Sequence, residues 1–412
     1  MLSQFSVKNY KSIRDEITLD MQTASITEHP EHVIKDADGQ EFLPISVIYG
    51  PNGGGKSNVL EAIRTLDTII LRPILAARQN SASDYKFSIF PVETFRFSAE
   101  YRDAPTEFEI FFRTKIAEYR YIIYIKKDVV LYEKLDRIKF ETNRKSGLFE
   151  RNGNDIQLTG DFKNLRISRD LSETLPLLSY LGIMYMNNES VSDVINWFDE
   201  GIDFINYGNP LSEMILSADF LENVRKLVLD MIKEMDLDIA DFRIEKNEND
   251  SIKIYTSHIV DGVNIELLLT EESSGTRKLF GMLPFIAKNL LRGNTLVIDE
   301  LDAKIHPLLL QYIISLFTDK ERNKQGAQLI FTSHDLSTMN NENFRRDEIW
   351  FVAKGNFQNS KLYSLVEFKT DKGEGVRKDA RFDKQYLEGK YGADPYLRKI
   401  INWSDVNGKT IQ

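Results

Sequence analysis

Cysteine is absent from the 412 residues, which excludes disulfides, thiolate metal sites and cysteine nucleophiles. No run approaches the ~20 apolar residues of a membrane-spanning helix. The opening MLSQFSVKNYKS lacks the apolar stretch of a secretory signal. Positive charge is in deficit: 53 Lys and Arg stand against 63 Asp and Glu, a net of −10. That balance excludes a polycation that coats nucleic acid, so any such contact needs a local basic face. No Gly/Ser or Pro-rich linker, internal repeat or long heptad array is present either. These absences describe a soluble, cytoplasmic protein of a reducing compartment, with no membrane partner.

What remains is ample for folding. The chain is 42% hydrophobic and 11% aromatic, enough for a sizeable core, and its length suits two or three domains or one lobed one at roughly 150 residues per domain. Leu2, Phe5 and Val7, then Ile17, Leu19 and Met21, alternate as two short strands around a turn at Asn9–Asp15. A polar stretch, Thr23–Gln40, reads as a surface loop. Ile45–Tyr49 is a short apolar run, the pattern of a buried strand. The helix after it carries Val59, Leu60, Ile63, Leu66, Ile69 and Ile70 and is expected to end before Pro73.

From Val92 to Lys139 the alternation of Phe95, Phe97, Ala99 and Tyr101, and of Tyr119, Tyr121, Ile123 and Ile125, predicts an antiparallel meander. Residues 155–235 read as mostly helical, best seen in the stripe Phe220, Val224, Leu227, Val228, Met231, Ile232 and Met235. Short strands follow near Phe242–Glu245, Ile252–Thr256 and Val263–Leu268. The last third is α/β: a helix over Arg277–Leu291 bent at Pro284, the strand Thr295–Ile298, the helix Pro307–Phe317, and strands at Gln328–Thr332, Glu348–Val352 and Leu362–Phe368. The organisation expected is an N-terminal half of one α/β head (1–90), an antiparallel β subdomain (91–150), a mostly helical insertion lobe (151–245) and the C-terminal half of the head (246–412).

Gly50-Pro51-Asn52-Gly53-Gly54-Gly55-Lys56-Ser57, followed by Asn58, fits GxxxxGK[ST] between a strand and a helix. Glycines let backbone N–H groups curl round an anion and the helix N-terminus adds positive potential. Lys56 reaches the β/γ-phosphates and Ser57 offers its hydroxyl to Mg²⁺. Leu296-Val297-Ile298-Asp299-Glu300 supplies the second half. Asp299 sits at a strand end to hold the Mg²⁺ shell, and Glu300 can orient or deprotonate an attacking water. Glu272-Ser273-Ser274-Gly275-Thr276 opens a helix and offers another anion cradle, or else a plain N-cap preceded by acids. Phe331-Thr332-Ser333-His334-Asp335 ends a strand, where His334 can sense a γ-phosphate or simply occupy a turn.

In this order, these motifs resemble those of ABC-type ATPases of the soluble SMC/RecF-like branch. They are closer still to the AAA-domain ATPases of bacterial abortive-infection and anti-phage systems, the AbiL, RloA and PARIS ATPase groups. FSVKNYKSI (Phe5–Ile13), YGPNGGGKSN, TFRF (Thr94–Phe97), LFERNG (Leu148–Gly153), EESSGTRKL, VIDELDAKIHP, TSHD and Arg377–Pro395 carry the likeness, which spans nearly the whole chain. It implies an α/β P-loop NTPase of ABC/SMC-head type with an antiparallel β-meander and a helical insertion lobe, using ATP and Mg²⁺. It implies also a homodimer or higher homo-oligomer in which Lys56, Ser57, Asp299 and Glu300 of one copy face Ser274 and Gly275 of another across ATP. Thr276 is the third contact, His334 the switch histidine, and Asp302 part of a loop linking the two sites. Lys11 and Ser12 are expected at the base or α-phosphate.

Three departures bear on function. The signature reads SSGT, not LSGGQ; no glutamine serves as a Q-loop, Gln79 being too near the P-loop; and no coiled coil could span DNA. The resemblance then implies an ATPase that senses and regulates in anti-phage defence, with a separately encoded effector of nuclease or toxin type. The alternative is a RecF-like repair ATPase that clamps DNA, and a third is an oligomeric scaffold that binds ATP and barely hydrolyses it. A transporter subunit fits least. The basic run Lys369, Lys372, Arg377, Lys378, Arg381 and Lys384, like Lys163, Arg166 and Arg169, reads as a solvated face, and Trp197 and Phe198 read as core. His29 and His32 with Glu28 and Glu31 have the composition of a metal site, yet a polar loop accounts for them more simply.

Overall fold

The strand Ile45–Tyr49 is buried at every residue and lies inside a six-stranded sheet. The computed structural model describes residues 1–36, 38–78, 92–205, 218–246, 252–369, 373 and 375–393. Gln79 and Lys372, and the last residues of the Arg377–Pro395 segment, lie outside them. The sheet runs in the order Ile202–Ile205, Thr295–Ile298, Gln328–Thr332, Ile45–Tyr49, Ile349–Lys354 and Ser360–Ser364. The first five strands are parallel and the last returns antiparallel.

Buried on both faces, these strands divide their apolar side chains between two cores. Ile48, Val297, Ile330, Trp350 and Val352 face one, and Val47, Tyr49, Leu296, Ile298, Leu329, Phe331 and Phe351 face the other. The first core is shared with the helix Lys56–Arg78 and a seven-stranded antiparallel sheet, ordered Asp155–Leu158, Arg144–Asn152, Val129–Lys139, Ala117–Lys126, Thr106–Arg113, Leu2–Lys8 and Ile17–Asp20. The second is covered by the helices Ala218–Glu234, Ser274–Arg292 and Pro307–Thr318. A three-stranded sheet, Asp241–Lys246, Ile252–Val260 and Val263–Leu268, joins the first two of these helices in sequence. Short helices, Leu177–Met184 and Glu189–Glu200, complete the insertion.

This is the expected α/β P-loop architecture with its meander. Three local expectations are corrected. Thr94–Phe97 is not a strand, and Ala99–Asp103 is a short helix. The alternating aromatics there meet one another instead: Phe95 packs edge-on to Phe97 and Tyr101. Asn9 ties the turn down, accepting from the Phe95 amide at 3.1 Å and donating to the Tyr101 carbonyl at 2.8 Å.

The P-loop helix does not stop before Pro73 but continues to Arg78. Proline costs an interior hydrogen bond; burial of Ile69, Ile70 and Ile74 offsets it, with Gly182 of the neighbouring helix so near that an added Cβ would lie 2.6 Å from Ile74 Cδ1. Finally, Asp155–Leu158 and Ile202–Ile205 are strands within the stretch expected to be mostly helical. Trp197 and Phe198 are core, as expected, with the indole stacked on Phe112 at 4.2 Å between ring centroids.

Candidate nucleotide-binding site

Register delivers the site. Ile298 pairs with Phe331, and Thr332 pairs with Ile48, so the chain emerges from three adjacent strands at one level. Asp299 and Glu300, Ser333 and His334, and the loop at Gly50 all leave the sheet's carboxyl edge, the usual ligand side of an open α/β sheet.

The loop itself demands glycine. Gly50, Gly53 and Gly55 have φ of 153°, 72° and 107°, values that L side chains rarely adopt. At Gly50 a Cβ would sit 2.4 Å from the Val352 carbonyl oxygen, and at Gly55 one would sit 2.1 Å from Ser360 Oγ. Lys56 is buried and folds back over the loop, its Nζ donating to the carbonyls of Gly50 at 2.9 Å and Pro51 at 3.3 Å. Burial pushes its pKa below the ordinary lysine value, against the pull of Asp299, Glu300 and Asp302.

A chain of small polar groups backs the loop. Asn58 Nδ2 donates to Ser12 Oγ at 2.6 Å, Ser12 Oγ meets Ser360 Oγ at 2.7 Å, and Ser360 Oγ donates to the Gly54 carbonyl at 2.6 Å. Ser12 is thus a prop behind the loop. Lys11, with φ of 47°, pairs through Nζ with Glu61.

Thr332 organises the opposite wall. Its buried hydroxyl donates to Asp299 at 2.6 Å and accepts the Glu300 amide at 2.7 Å. Glu300 has φ of 51°, a strained backbone for glutamate that persists only where surroundings enforce it. The enforcing group is Lys278. Its buried ammonium donates to the carbonyls of Glu300 at 2.8 Å, Leu301 at 3.1 Å and Ala303 at 2.8 Å.

Lys278 lies one turn beyond Ser274 on the helix Ser274–Arg292, whose N-cap Ser273 accepts the Thr276 amide at 3.1 Å. Ser274 is exposed, and Gly275 packs so that a Cβ would lie 3.1 Å from the Lys304 carbonyl oxygen. Among the described residues no hydrogen bond joins this turn to the P-loop. Asp302 Oδ2 accepts the His334 amide at 3.1 Å, which fixes the loop after Glu300 to the turn carrying the exposed imidazole.

Two cavities flank the loop. One, of about 500 Å³, is bordered by Ser57, Asp299, Lys11, Tyr10 and Phe204; the other, of about 510 Å³, by Gly50, Asn52, Ser333, His334 and Lys354. Ser57 and Asp299 offer hard oxygen donors to the first, the donor set that Mg²⁺ takes together with water and phosphate. Thr332 occupies only one Asp299 oxygen, Oδ1. The residues therefore fit the ion.

Thr332, Lys278 and Ser360 are functional candidates that motif reading passed over. Thr332 stood inside TSHD without a role. Lys278 lay one helical turn from the signature serine. Ser360 carried no signal, because only the antiparallel return strand brings it behind the loop.

A buried parallel sheet, a glycine loop opening a helix and an Asp-Glu pair on a nearby strand define a P-loop NTPase. The chain belongs to the family described as "AAA domain, putative AbiEii toxin, Type IV TA system", whose model matches residues 45–340. Among solved structures it is similar to the SMC head domain from Thermotoga maritima, at 14% identity and a TM-score of 0.42, over 88% of this chain and 98% of that one. It is similar also to an SMC head bound to the C-winged helix domain of ScpA, at 14% identity, TM-score 0.46, over 88% and 97%. A third likeness is to an SMC head with an extended coiled coil bound to the C-terminal domain of ScpA, from Pyrococcus furiosus, at 12% identity, TM-score 0.41, over 88% and 96%. No curated protein matches the chain significantly. No helix among the described residues is long and apolar enough to cross a membrane.

Proposed function

We propose that the protein is an ATP-binding and ATP-hydrolysing switch, the regulatory subunit of an anti-phage defence system that controls a separately encoded effector. One observation carries the ATPase reading: Lys56, Asp299, Glu300 and His334 converge on one sheet edge. In this reading the β- and γ-phosphates take over Lys56 from the Gly50 and Pro51 carbonyls, giving its buried ammonium an anion in direct contact. Ser57 and Asp299 would hold Mg²⁺, which would supply neutralisation of the phosphate charge. Glu300 orients the attacking water and His334 reports on the γ-phosphate.

The exposed Ser274, with the half-buried Gly275 and Thr276, completes the site of a second copy, so ATP holds two heads together and hydrolysis releases them. Lys11, which borders the first cavity and pairs with Glu61, is read as a nucleotide contact from that side. The defence role is supported by the family described above, and the effector is a nuclease or toxin held or released by the dimer.

Lys56→Ala should abolish nucleotide binding, and Glu300→Gln should bind ATP and dimerise without turning it over. Hydrolysis by Glu300→Gln at the wild-type rate would sink the assignment. For the partner, tagged Glu300→Gln is recovered from its own host with ATP in nuclease-treated lysate. A stoichiometric protein from the neighbouring gene supports the defence switch. No protein partner, with DNA recovered when nuclease is omitted, favours the DNA clamp.

A further inference from the structure

At the sheet's amino edge, opposite the phosphate loop, the segment 23–36 folds down on the turn 341–348. It is not the plain polar loop its composition suggested. Glu28 pairs with Arg346, the Ala24 amide donates to Asp347 at 2.9 Å, and Lys320 Nζ donates to the Pro30 carbonyl at 3.1 Å. At its centre the rings of His29 and His32 stack at 4.6 Å. One ligand atom from each of His29, Glu31 and His32 lies within 4.8 Å of the others.

The hydrogen bonds of the two imidazoles point to a cation. His29 Nε2 lies 2.7 Å from the Asn341 carbonyl oxygen, which can only accept, so Nε2 carries a proton. That leaves Nδ1 facing Glu31 Oε1 at 2.8 Å. A lone pair against a carboxylate is repulsive, and 2.8 Å leaves room only for a second proton between them, one that a metal ion would displace as the two donors part to roughly 3.3 Å. His32 has the complementary arrangement. Its Nδ1 is 3.3 Å from both oxygens of Glu348, a fully buried carboxylate that also accepts the Arg345 amide at 2.8 Å. Nδ1 therefore donates, and Nε2 is left with its lone pair.

Each ring is thus held by a carbonyl or carboxylate on one nitrogen and presents the other, the way protein surroundings fix metal-binding histidines. The backbone agrees: His29 has φ of 40° immediately before Pro30, a conformation unfavourable for a pre-proline residue.

We propose that His29 Nδ1, His32 Nε2 and a Glu31 carboxylate oxygen bind a zinc-type divalent ion, with water in the fourth position. Imidazole and carboxylate donors suit zinc, at about 2.0–2.2 Å per ligand. Tetrahedral closure brings the donors to roughly 3.3 Å apart, a small side-chain adjustment from the spacing seen. All three ligands lie in one segment; the ion fixes the two imidazoles whose other nitrogens meet Asn341 and Glu348, in the turn that leads into Ile349–Lys354, the strand beside the P-loop strand. The site stands on its own geometry, independent of the nucleotide reading.

The test uses the full chain purified without chelator. Elemental analysis should find about one zinc per chain, and metal-stripped protein should regain it from zinc chloride with a rise in Tm. Cobalt(II) in its place should give the intense visible absorption of a tetrahedral site. His29→Gln, at a partly exposed ring (26% side-chain exposure), should fold normally and lose both the stoichiometric metal and the cobalt spectrum. Glu348→Gln, which among the three ligands touches only His32, should weaken zinc roughly 10–100-fold. The proposal is overturned if zinc leaves Tm unchanged and cobalt(II) gives no tetrahedral spectrum. It is overturned equally if His29→Gln binds zinc as tightly as wild type, in which case His29 is a doubly protonated imidazolium paired with Glu31.

Discussion

The hydroxyl of Thr332 sits 2.6 Å from the Asp299 carboxylate, donating to it while accepting the amide of Glu300 at 2.7 Å. One buried side chain on the central strand thus sets both the carboxylate proposed to hold the metal shell and the backbone of the proposed catalytic glutamate. Valine has the same shape but can do neither. Thr332→Val leaves the half-buried Glu300 N–H unpaired, a loss on the order of 1 kcal/mol in denaturant unfolding. Because P-loop contacts are untouched, ATP affinity should stay close to wild type while turnover falls on the order of 10–100-fold. Equal losses in binding and turnover would show that Thr332 does no more than stabilise the fold.

Gly55 is tested by a single methyl group. At φ of 107° an alanine Cβ would meet Ser360 Oγ at 2.1 Å and Ser12 Oγ at 2.7 Å. Strain of this kind costs on the order of 1–3 kcal/mol, and relief requires breaking the Ser12–Ser360–Gly54 chain behind the loop. Gly55→Ala should therefore lower Tm and weaken nucleotide binding together. Gly55→Ala combined with Ser360→Gly, which removes the nearer obstacle, should recover part of the loss. No recovery would place the defect in the backbone angle alone.

How far the sequence reached follows from the range over which each signal acts. Ile45–Tyr49, Thr295–Ile298 and Gln328–Thr332 matched the structure residue for residue, because fully buried parallel strands need continuous apolar runs and nothing else nearby has them. The aromatic alternation at Phe95–Tyr101 failed because a hydrogen-bonded turn clustered side chains that a strand would have separated. The glycine loop was legible from local backbone demands. Ser360 was not, since its role depends on a contact made 306 residues away in the chain. His29 and His32 looked like loop residues until Asn341 and Glu348 arrived from elsewhere to fix which nitrogen each presents.

Trp197 ties the insertion to the antiparallel sheet. Its indole stacks on Phe112 and meets Phe198 edge-on at 5.1 Å. Truncation to alanine should cost about 3–5 kcal/mol, as for a large aromatic in a packed core. Trp197→Phe keeps a ring in the stack and deletes a buried N–H that has no partner among the described residues, so it should cost much less. Chemical denaturation monitored by circular dichroism distinguishes them. Comparable losses for both variants would mean that the stack contributes little.

Lys278 gives a pH test of the link between the signature turn and Glu300. Burial pushes its pKa down from 10.5 to about 8, with Asp302 and Glu300 opposing. Protonated, the ammonium has three N–H groups for three carbonyls; the neutral amine has two, so one carbonyl contact is lost. The left-handed Glu300 should relax as pH passes through about 8, and ATP turnover should fall over that range. Global stability moves the other way. The unfolded chain keeps this proton up to its ordinary value of 10.5 while the folded chain releases it near 8, so the group's contribution to stability rises with pH between the two. Lys278→Arg, charged throughout, should lose the alkaline limb of the turnover profile, and Lys278→Met should be slow at every pH. The measurement is ATP turnover from pH 6.5 to 9.5 (roughly the window set by a pKa of about 8), with unfolding followed in parallel. An alkaline limb unchanged in Lys278→Arg would assign it to another group.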